Sequence, residues 1–538
     1  MAVASFRDLE RSYFDLRWSL DPVAATQAGV TAYDDRYGRY GPAALAPYLT
    51  ALKSLAGALE AAAADRLEDE IDRTALLNEI RASLSRFERE RPQAKNPVFW
   101  LSHLLGGLHF LLQRSDRTPQ ARAAAVAARL EDAPSFLDEA RATLVEPVRV
   151  FVETALAVTE GGLMLVRDAS TAVAAQAPDQ AARLAAAADA AGTALAGFAH
   201  DLERWLESAS DRAALGEDLF NFRLHYEHAL RDTAPELWRY GLHLKEEVEG
   251  ELARLAARLG NGGRWQDVAD GLRGDHPDAA SLVKLYRDEM ARAREFVRAR
   301  ALAPIPDAPL SVVPTPPFMR PLIPFAAYDS PGPYSSDRTG LFYVTVPDER
   351  LAPAQRERIL RDHCRFEIAA TALHEGYPGH HLQLVLAQQQ SSDVRKNLWT
   401  PLTVEGWALY CEDMMGELGF YEREEERFFQ RVHLLWRAVR ILLDVGLHTR
   451  GMTFDEAVGY LTNLGMDRGN AAAEVRRYCA EPAYALCYAV GRRELLKLRD
   501  DFRAARGGEF TLRRFHDAIL PYGGLPVTLI RWGLGFGE

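Results

Sequence analysis

The sequence has only four cysteines in 538 residues, no run of basic side chains, and no uncharged apolar stretch of bilayer-spanning length. Each absence excludes a class of protein. Cys364, Cys411, Cys479 and Cys487 all lie in the C-terminal half without zinc-ribbon spacing, so they read as reduced, mostly buried thiols rather than a disulfide framework. A formal charge of −12 argues against a phosphate-backbone partner, which calls for a basic face, and nucleic acid is not expected. No membrane-spanning helix and no membrane partner are expected. The opening stretch "MAVASFRDLERSYFDLRWSL" carries acidic residues early and lacks an apolar core, so a secretory signal is not expected and a cytoplasmic location is. The Walker loop, the dinucleotide glycine fingerprint and the Gly-x-Ser-x-Gly elbow are all missing.

What is present is helical. Up to about residue 300, segments such as "FRDLERSYFDLRW" and "DQAARLAAAADAAGTALAGFAHDLERWLES" space their apolar residues three and four apart. The alanine-rich part near 170–200 reads as a packed helix, because alanine costs nothing in helix propensity. A proline-rich stretch from Ala303 to Ser336 then holds ten of the 28 prolines, and no long helix can cross it. It leads into "GLFYVTVP", the clearest strand signal in the chain. Helices resume afterwards. The expected organisation is a helical region over 1–300 forming one wall of a cleft, a linker and edge strand over 301–350, and a helical catalytic region over 351–538. The strand reads either as part of a simple connecting hairpin or as an edge to which an extended peptide can add as one more strand.

Immediately beyond the strand stands "TALHEGYPGHHLQLV", with three histidines and a glutamate within eight residues. In a straight helix two imidazoles four residues apart, about 6 Å along the axis, can share one zinc. The residue four beyond His374 is Pro378. His381 lies on the same face but roughly 10 Å along the axis, and His380 would point to the wrong side of a regular helix. Pro378 and Gly379 together permit a bulged turn that absorbs two extra residues. His380 is then the expected second ligand, with His381 as the alternative. Catalytic zinc takes three protein ligands. Glu405, in the apolar "TVEGWALYCED", is the expected third, with Glu412 as rival or as an outer hydrogen-bond acceptor. Glu375 stands where a general base would take a proton from zinc-bound water, whose pKa the metal brings to about 7.

Five motifs in order, "HEGYPGHHLQ", "EGWALYCEDM", "RAVRILLDVGLHTRGMTFDEAV", "RRYCAEPAYALCYAVG" and "FHDAIL", resemble a bacterial family catalogued as a domain of unknown function. That family looks like a distant branch of the zinc peptidases whose third ligand is glutamate, the gluzincins. The resemblance implies a mainly α, zincin-like (gluzincin) fold with a small β element beside the metal helix and a deep central cleft. It implies His374, His380 and Glu405 as Zn2+ ligands and Glu375 as catalytic base.

Supporting residues follow from spacing. Arg437, Arg440, Asp444 and His448 form a polar stripe on one helix, in which Arg440–Asp444 is expected to be an ion pair. His448 and Tyr488 are candidate oxyanion donors, and Arg477 is a candidate clamp for a substrate carboxylate. His103 and His109 read as core or wall histidines rather than ligands. The expected function is a zinc-dependent hydrolase of peptide or peptide-like amide bonds in small substrates, such as short peptides. The alternatives are a zinc enzyme acting on another C–N bond of a small metabolite or natural product, and a non-catalytic helical binding protein with a vestigial metal site.

Overall fold

Helices dominate because the sequence supplies their faces and their ends. The computed structural model describes residues 5–64, 66–260, 263–316, 319–320, 323 and 325–537. It is mainly helical, with one small three-stranded sheet among the described residues. These residues fall into two compact units: residues 1–213 with 316–322 and 331–338, and residues 214–315, 323–330 and 339–538.

The first unit is a set of long helices. The alanine-rich stretch forms the helix Ala181–Trp205, which buries Leu184, Leu195, Phe198 and Leu202 and leaves its other faces to small and charged residues. Thr118 caps the helix Pro119–Thr143, with proline at the first position where its missing N–H costs nothing. Inside this unit Arg129 is fully buried and donates to the Gly107 carbonyl and the Thr26 hydroxyl. His103 donates from Nδ1 to the Phe99 carbonyl and His109 pairs with Gln113, so both serve packing, as expected.

The second unit is organised around the helix Pro401–Glu417. Thr400 caps it, Pro401 starts it, and every residue from Pro401 to Met415 is buried. A helix buried on all sides must be enclosed by others. The helix Cys487–Arg506 crosses it where two glycines meet. A Cβ on Gly491 would lie 1.8 Å from the Leu402 carbonyl oxygen, and one on Gly406 would lie 2.5 Å from the Gly491 backbone. The close approach of these two backbones therefore requires glycine at both positions. The helix Glu424–Thr449 packs nearby within the same apolar cluster, with Glu424, Glu425 and Glu426 in its first turn, where they complement the helix dipole.

The sheet differs from the expectation. The strand signal "GLFYV" becomes β3 (Gly340–Val344), which lies between β1 (Leu310–Pro314) and β2 (Ala326–Asp329). β1 runs parallel to β3, in register Leu310 to Gly340, and β2 runs antiparallel, Ala326 opposite Val344. β3 is thus central rather than an edge, and both sides of its hydrogen-bonding ladder are taken, so no extended peptide can add to it. Its partners come from the stretch read as a linker: proline in short outer strands costs only solvent-facing hydrogen bonds. Residues 317–318, 321–322 and 324 of that stretch lie outside the described residues. Val312, Phe342 and Val344 pack with Leu282, Tyr286 and Met290 and with Ile368 and Ala372, which anchors the sheet one turn before His374.

Replacing Gly491 with alanine is expected to cost about 3 kcal/mol or more, because a backbone carbonyl cannot move aside as a side chain would. Urea unfolding of the variant beside the parent chain measures it.

Candidate metal centre

The helix Arg365–Glu375 stops one residue after His374, and the helix His380–Gln388 begins at His380. Between them Gly376, Tyr377, Pro378 and Gly379 form a four-residue break in which the Tyr377–Pro378 peptide is cis. The sequence pointed to a bulge inside one helix; the chain instead makes two helices. Proline at 378 offers no N–H to continue the first helix and clashes with its last turn. The Gly379 N–H donates to the Leu373 carbonyl at 3.0 Å, and the Leu382 N–H to the Gly376 carbonyl at 3.3 Å, so both ends stay hydrogen-bonded. A Cβ on Gly379 would sit 1.8 Å from the His374 carbonyl oxygen, so the break can fold this tightly only around glycine.

The break brings His380 against His374. Their ring centroids are 4.7 Å apart with planes at 90°. Both Nε2 atoms face one oxygen of Glu405, at 3.6 Å from His374 and 3.3 Å from His380. Two donors bound to one tetrahedral ion at 2.0–2.1 Å lie about 3.4 Å apart, so the two separations suit a shared metal. Glu375 also reaches the cluster: its carboxylate and the ligand nitrogens of His374 and His380 lie within 4.8 Å of one another. Glu375 is partly exposed while both histidines are buried.

Neighbouring groups fix these side chains. His374 donates from Nδ1 to Glu412 at 2.8 Å, an arrangement that leaves Nε2 to face inward. Glu412 thus meets the ring nitrogen of His374 opposite to the one that faces Glu405. Glu405 accepts from the Tyr484 hydroxyl at 2.8 Å. The Trp407 indole donates to the Pro378 carbonyl at 2.8 Å and ties the break to the helix that carries Glu405. Burial alone would depress the His374 pKa, but hydrogen bonds to Glu405 and Glu412 outweigh it and raise it to about 9. Burial works in the opposite sense on Glu405, whose pKa nonetheless falls well below the usual range because it accepts from both histidines. With two imidazoles and one carboxylate converging and a second carboxylate behind, the donor set fits a divalent cation.

His381 is not part of this set. It is fully buried, with Nδ1 3.0 Å from the Tyr328 hydroxyl and Nε2 3.2 Å from the Ala308 carbonyl. It holds the second helix to the sheet rather than meeting a carboxylate. Gly340 makes room for it, since a Cβ there would come within 2.6 Å of its Nδ1.

Three supporting assignments change. His448 accepts at Nδ1 from the Leu215 N–H and donates from Nε2 to the Tyr478 carbonyl, so both ring nitrogens are used in packing and neither serves an oxyanion. Asp444 does not pair with Arg440. Its carboxylate instead accepts from the Ala483 and Leu486 N–H groups, with burial pushing its pKa up to about 7. Arg440 pairs with Glu474 at 3.1 Å, and Glu474 also holds Arg477 at 2.8 Å, so the guanidinium of Arg477 is already engaged by a carboxylate. Tyr488 does reach the site: its ring stacks on His374 at 6.4 Å and 19°. Sequence reading passed over Tyr484 as a partner of Glu405. It lies in the turn before the helix Cys487–Arg506, and no local pattern in the sequence pointed to it.

A family model described as a bacterial protein of unknown function (DUF885) matches residues 22–533. A solved structure of a "putative lipoprotein of unknown function" from Shewanella oneidensis is 22% identical, with a TM-score of 0.81 over 99% of this chain and 100% of its own. Another, a "putative lipoprotein" from Colwellia psychrerythraea, is 19% identical, with a TM-score of 0.84 over 99% of each chain. At such identities the likeness shows a common fold and nothing of the chemistry. No curated protein matches the chain. The cytoplasmic location expected from the sequence is corrected here: two proteins of this fold are described as putative lipoproteins. The four free cysteines do not rescue it: all are buried, so their reduced state follows from packing. Among the described residues no helix is long and apolar enough to cross a membrane.

His380→Ala is expected to abolish zinc uptake measured by elemental analysis, whereas His381→Ala keeps the metal and loses about 1–3 kcal/mol of stability. Zinc uptake by the metal-free protein is also expected to release a proton below about pH 9, because His374 holds one there until its raised pKa is passed. Apparent affinity then rises with pH by up to about tenfold per unit and levels off above that pKa. Titration calorimetry in buffers of different ionisation enthalpy counts the proton.

Proposed function

We propose, for a chain that belongs to the DUF885 family of bacterial proteins of unknown function, that it is a zinc-dependent hydrolase of peptide or peptide-like amide bonds in small substrates. The observation that carries this reading is the convergence of His374, His380 and Glu405, all buried, with the partly exposed Glu375 beside the two histidines. A purely structural ion has no use for a partly exposed carboxylate next to its ligands. The motif likeness to gluzincins supports the same reading of ligands and base.

A bound zinc ion would supply Lewis acidity toward a carbonyl and toward water. The rest of the chemistry belongs to the chain. Glu375 receives the proton of the attacking water as the new C–O bond forms. It then delivers that proton to the leaving nitrogen as the C–N bond breaks. Tyr488 donates its hydroxyl hydrogen to the developing oxyanion. Burial raises its pKa above that of an ordinary phenol, and the Glu405 charge adds to this, so it stays a donor across the physiological range. Glu412 keeps His374 in one tautomer, and Tyr484 keeps Glu405 in one rotamer.

Purified protein is expected to hold about one zinc per chain and to cleave members of a short-peptide library resolved by mass spectrometry. Glu375→Gln should retain the metal and the fold while turnover falls at least about a hundredfold. No transition metal in native or zinc-reconstituted protein, or undiminished turnover in the glutamine variant, would sink the reading.

A further inference from the structure

Arg437 and Arg440 lie over the Tyr488 ring, at 5.8 and 4.7 Å from its centroid, and Arg477 lies over the ring of Tyr478. Arg440 and Arg477 share Glu474, which also accepts from the Tyr478 hydroxyl at 2.7 Å. Arg437 is different. Among the described residues its one hydrogen bond runs from Nη1 to the His433 carbonyl at 3.3 Å, one turn back on its own helix, and its Nε is buried without a partner. Among the described residues no carboxylate forms an ion pair with it. Its guanidinium carbon lies 5.1 Å from the Trp436 ring and 5.8 Å from the Tyr488 ring, so two aromatic walls hold the fork. Tyr488 in turn stacks on His374, which places this fork beside the metal centre.

A guanidinium with an unused buried N–H is costly unless an anion arrives. A planar fork between aromatic faces suits the two oxygens of a carboxylate better than a point charge would. We infer that Arg437 receives the carboxylate of the substrate, so that the site acts on peptides and acyl-amino acids with a free carboxylate close to the bond that is cut. This rests on the hydrolase reading above and narrows its substrate class to C-terminal release. It also moves the clamp from Arg477, which Glu474 occupies, to the neighbouring helix.

The competing use of Arg437 is to balance Glu412, whose charge is the largest favourable influence on it and whose Oε2 is also buried without a partner. The test separates the two. Binding of N-acetyl-phenylalanine and of its carboxamide is measured by calorimetry on the zinc-loaded Glu375→Gln protein, where turnover is suppressed. Turnover of N-acetyl dipeptides with free and with amidated C-termini is measured on the parent enzyme. The acid is expected to bind at least about tenfold more tightly than the amide, and free termini to be cleaved at least about tenfold faster, as charge-assisted hydrogen bonds warrant. Arg437→Gln should erase both preferences with zinc content unchanged, and Arg437→Lys should restore part of them. Equal binding of acid and amide, or a preference that survives in Arg437→Gln, overturns the inference. So does loss of zinc in that variant, which would assign the charge to Glu412. Preferred binding of the acid without cleavage of any peptide would leave the anion site standing and remove the hydrolase; cleavage indifferent to the terminus would do the reverse.

Discussion

Two carboxylates ride into the interior on one helix that is buried on every side, and their charge has to be met there. Glu405 and Glu412 lie seven residues apart on Pro401–Glu417, two turns along the same face. Isolated in such surroundings, each would give up its charge. Instead the carboxyls of both are held below their ordinary pKa, because His374 hydrogen-bonds Glu412 and both His374 and His380 face Glu405. The chain thus keeps a negative pair in its core by holding positive charge against it: a proton on His374 in the metal-free protein, and on the proposed reading a divalent cation in its place.

That requirement explains the break at Gly376–Gly379. Histidines six residues apart cannot face one point from a continuous helix, and an uninterrupted helix would leave Glu405 with a single nitrogen. Ending the helix at Glu375 and restarting it at His380 places both Nε2 atoms on the same oxygen. The fold secures the break from two directions. Trp407 holds the Pro378 carbonyl from the carboxylate helix, and His381 fastens the restarted helix to Tyr328 on β2. The crossing at Gly406 and Gly491 then carries Tyr484 and Tyr488 over the same spot, where one braces Glu405 and the other covers His374.

Around this core the remaining charges are unequal. Glu474 pairs with both Arg440 and Arg477, and Asp444 spends its oxygens on the N–H groups of Ala483 and Leu486, on either side of Tyr484. The polar stripe along Glu424–Thr449 is therefore not a self-contained ion-pair ladder. Its members reach different elements, and among the described residues no carboxylate forms an ion pair with Arg437, whose Nε is buried without a partner.

The sequence by itself determined the helical class, the position of the break and the residues that meet there. Helical periodicity, a Pro-Gly interruption and a glutamate in an apolar run are local signals, and local backbone sterics enforce them wherever the chain folds. Tertiary structure alone decided which partner each charged group takes. Tyr484 meets Glu405 across 79 residues and Arg440 meets Glu474 across 34, whereas spacing favoured the neighbour four residues away. Buried polar groups choose by geometry and desolvation over the whole core, so Asp444 and His448 went to backbone groups that no side-chain pattern announces. The same holds for β3: its composition marked a strand, but whether it lay at an edge or in the centre depended on two proline-bordered segments that only became strands once they lay against it.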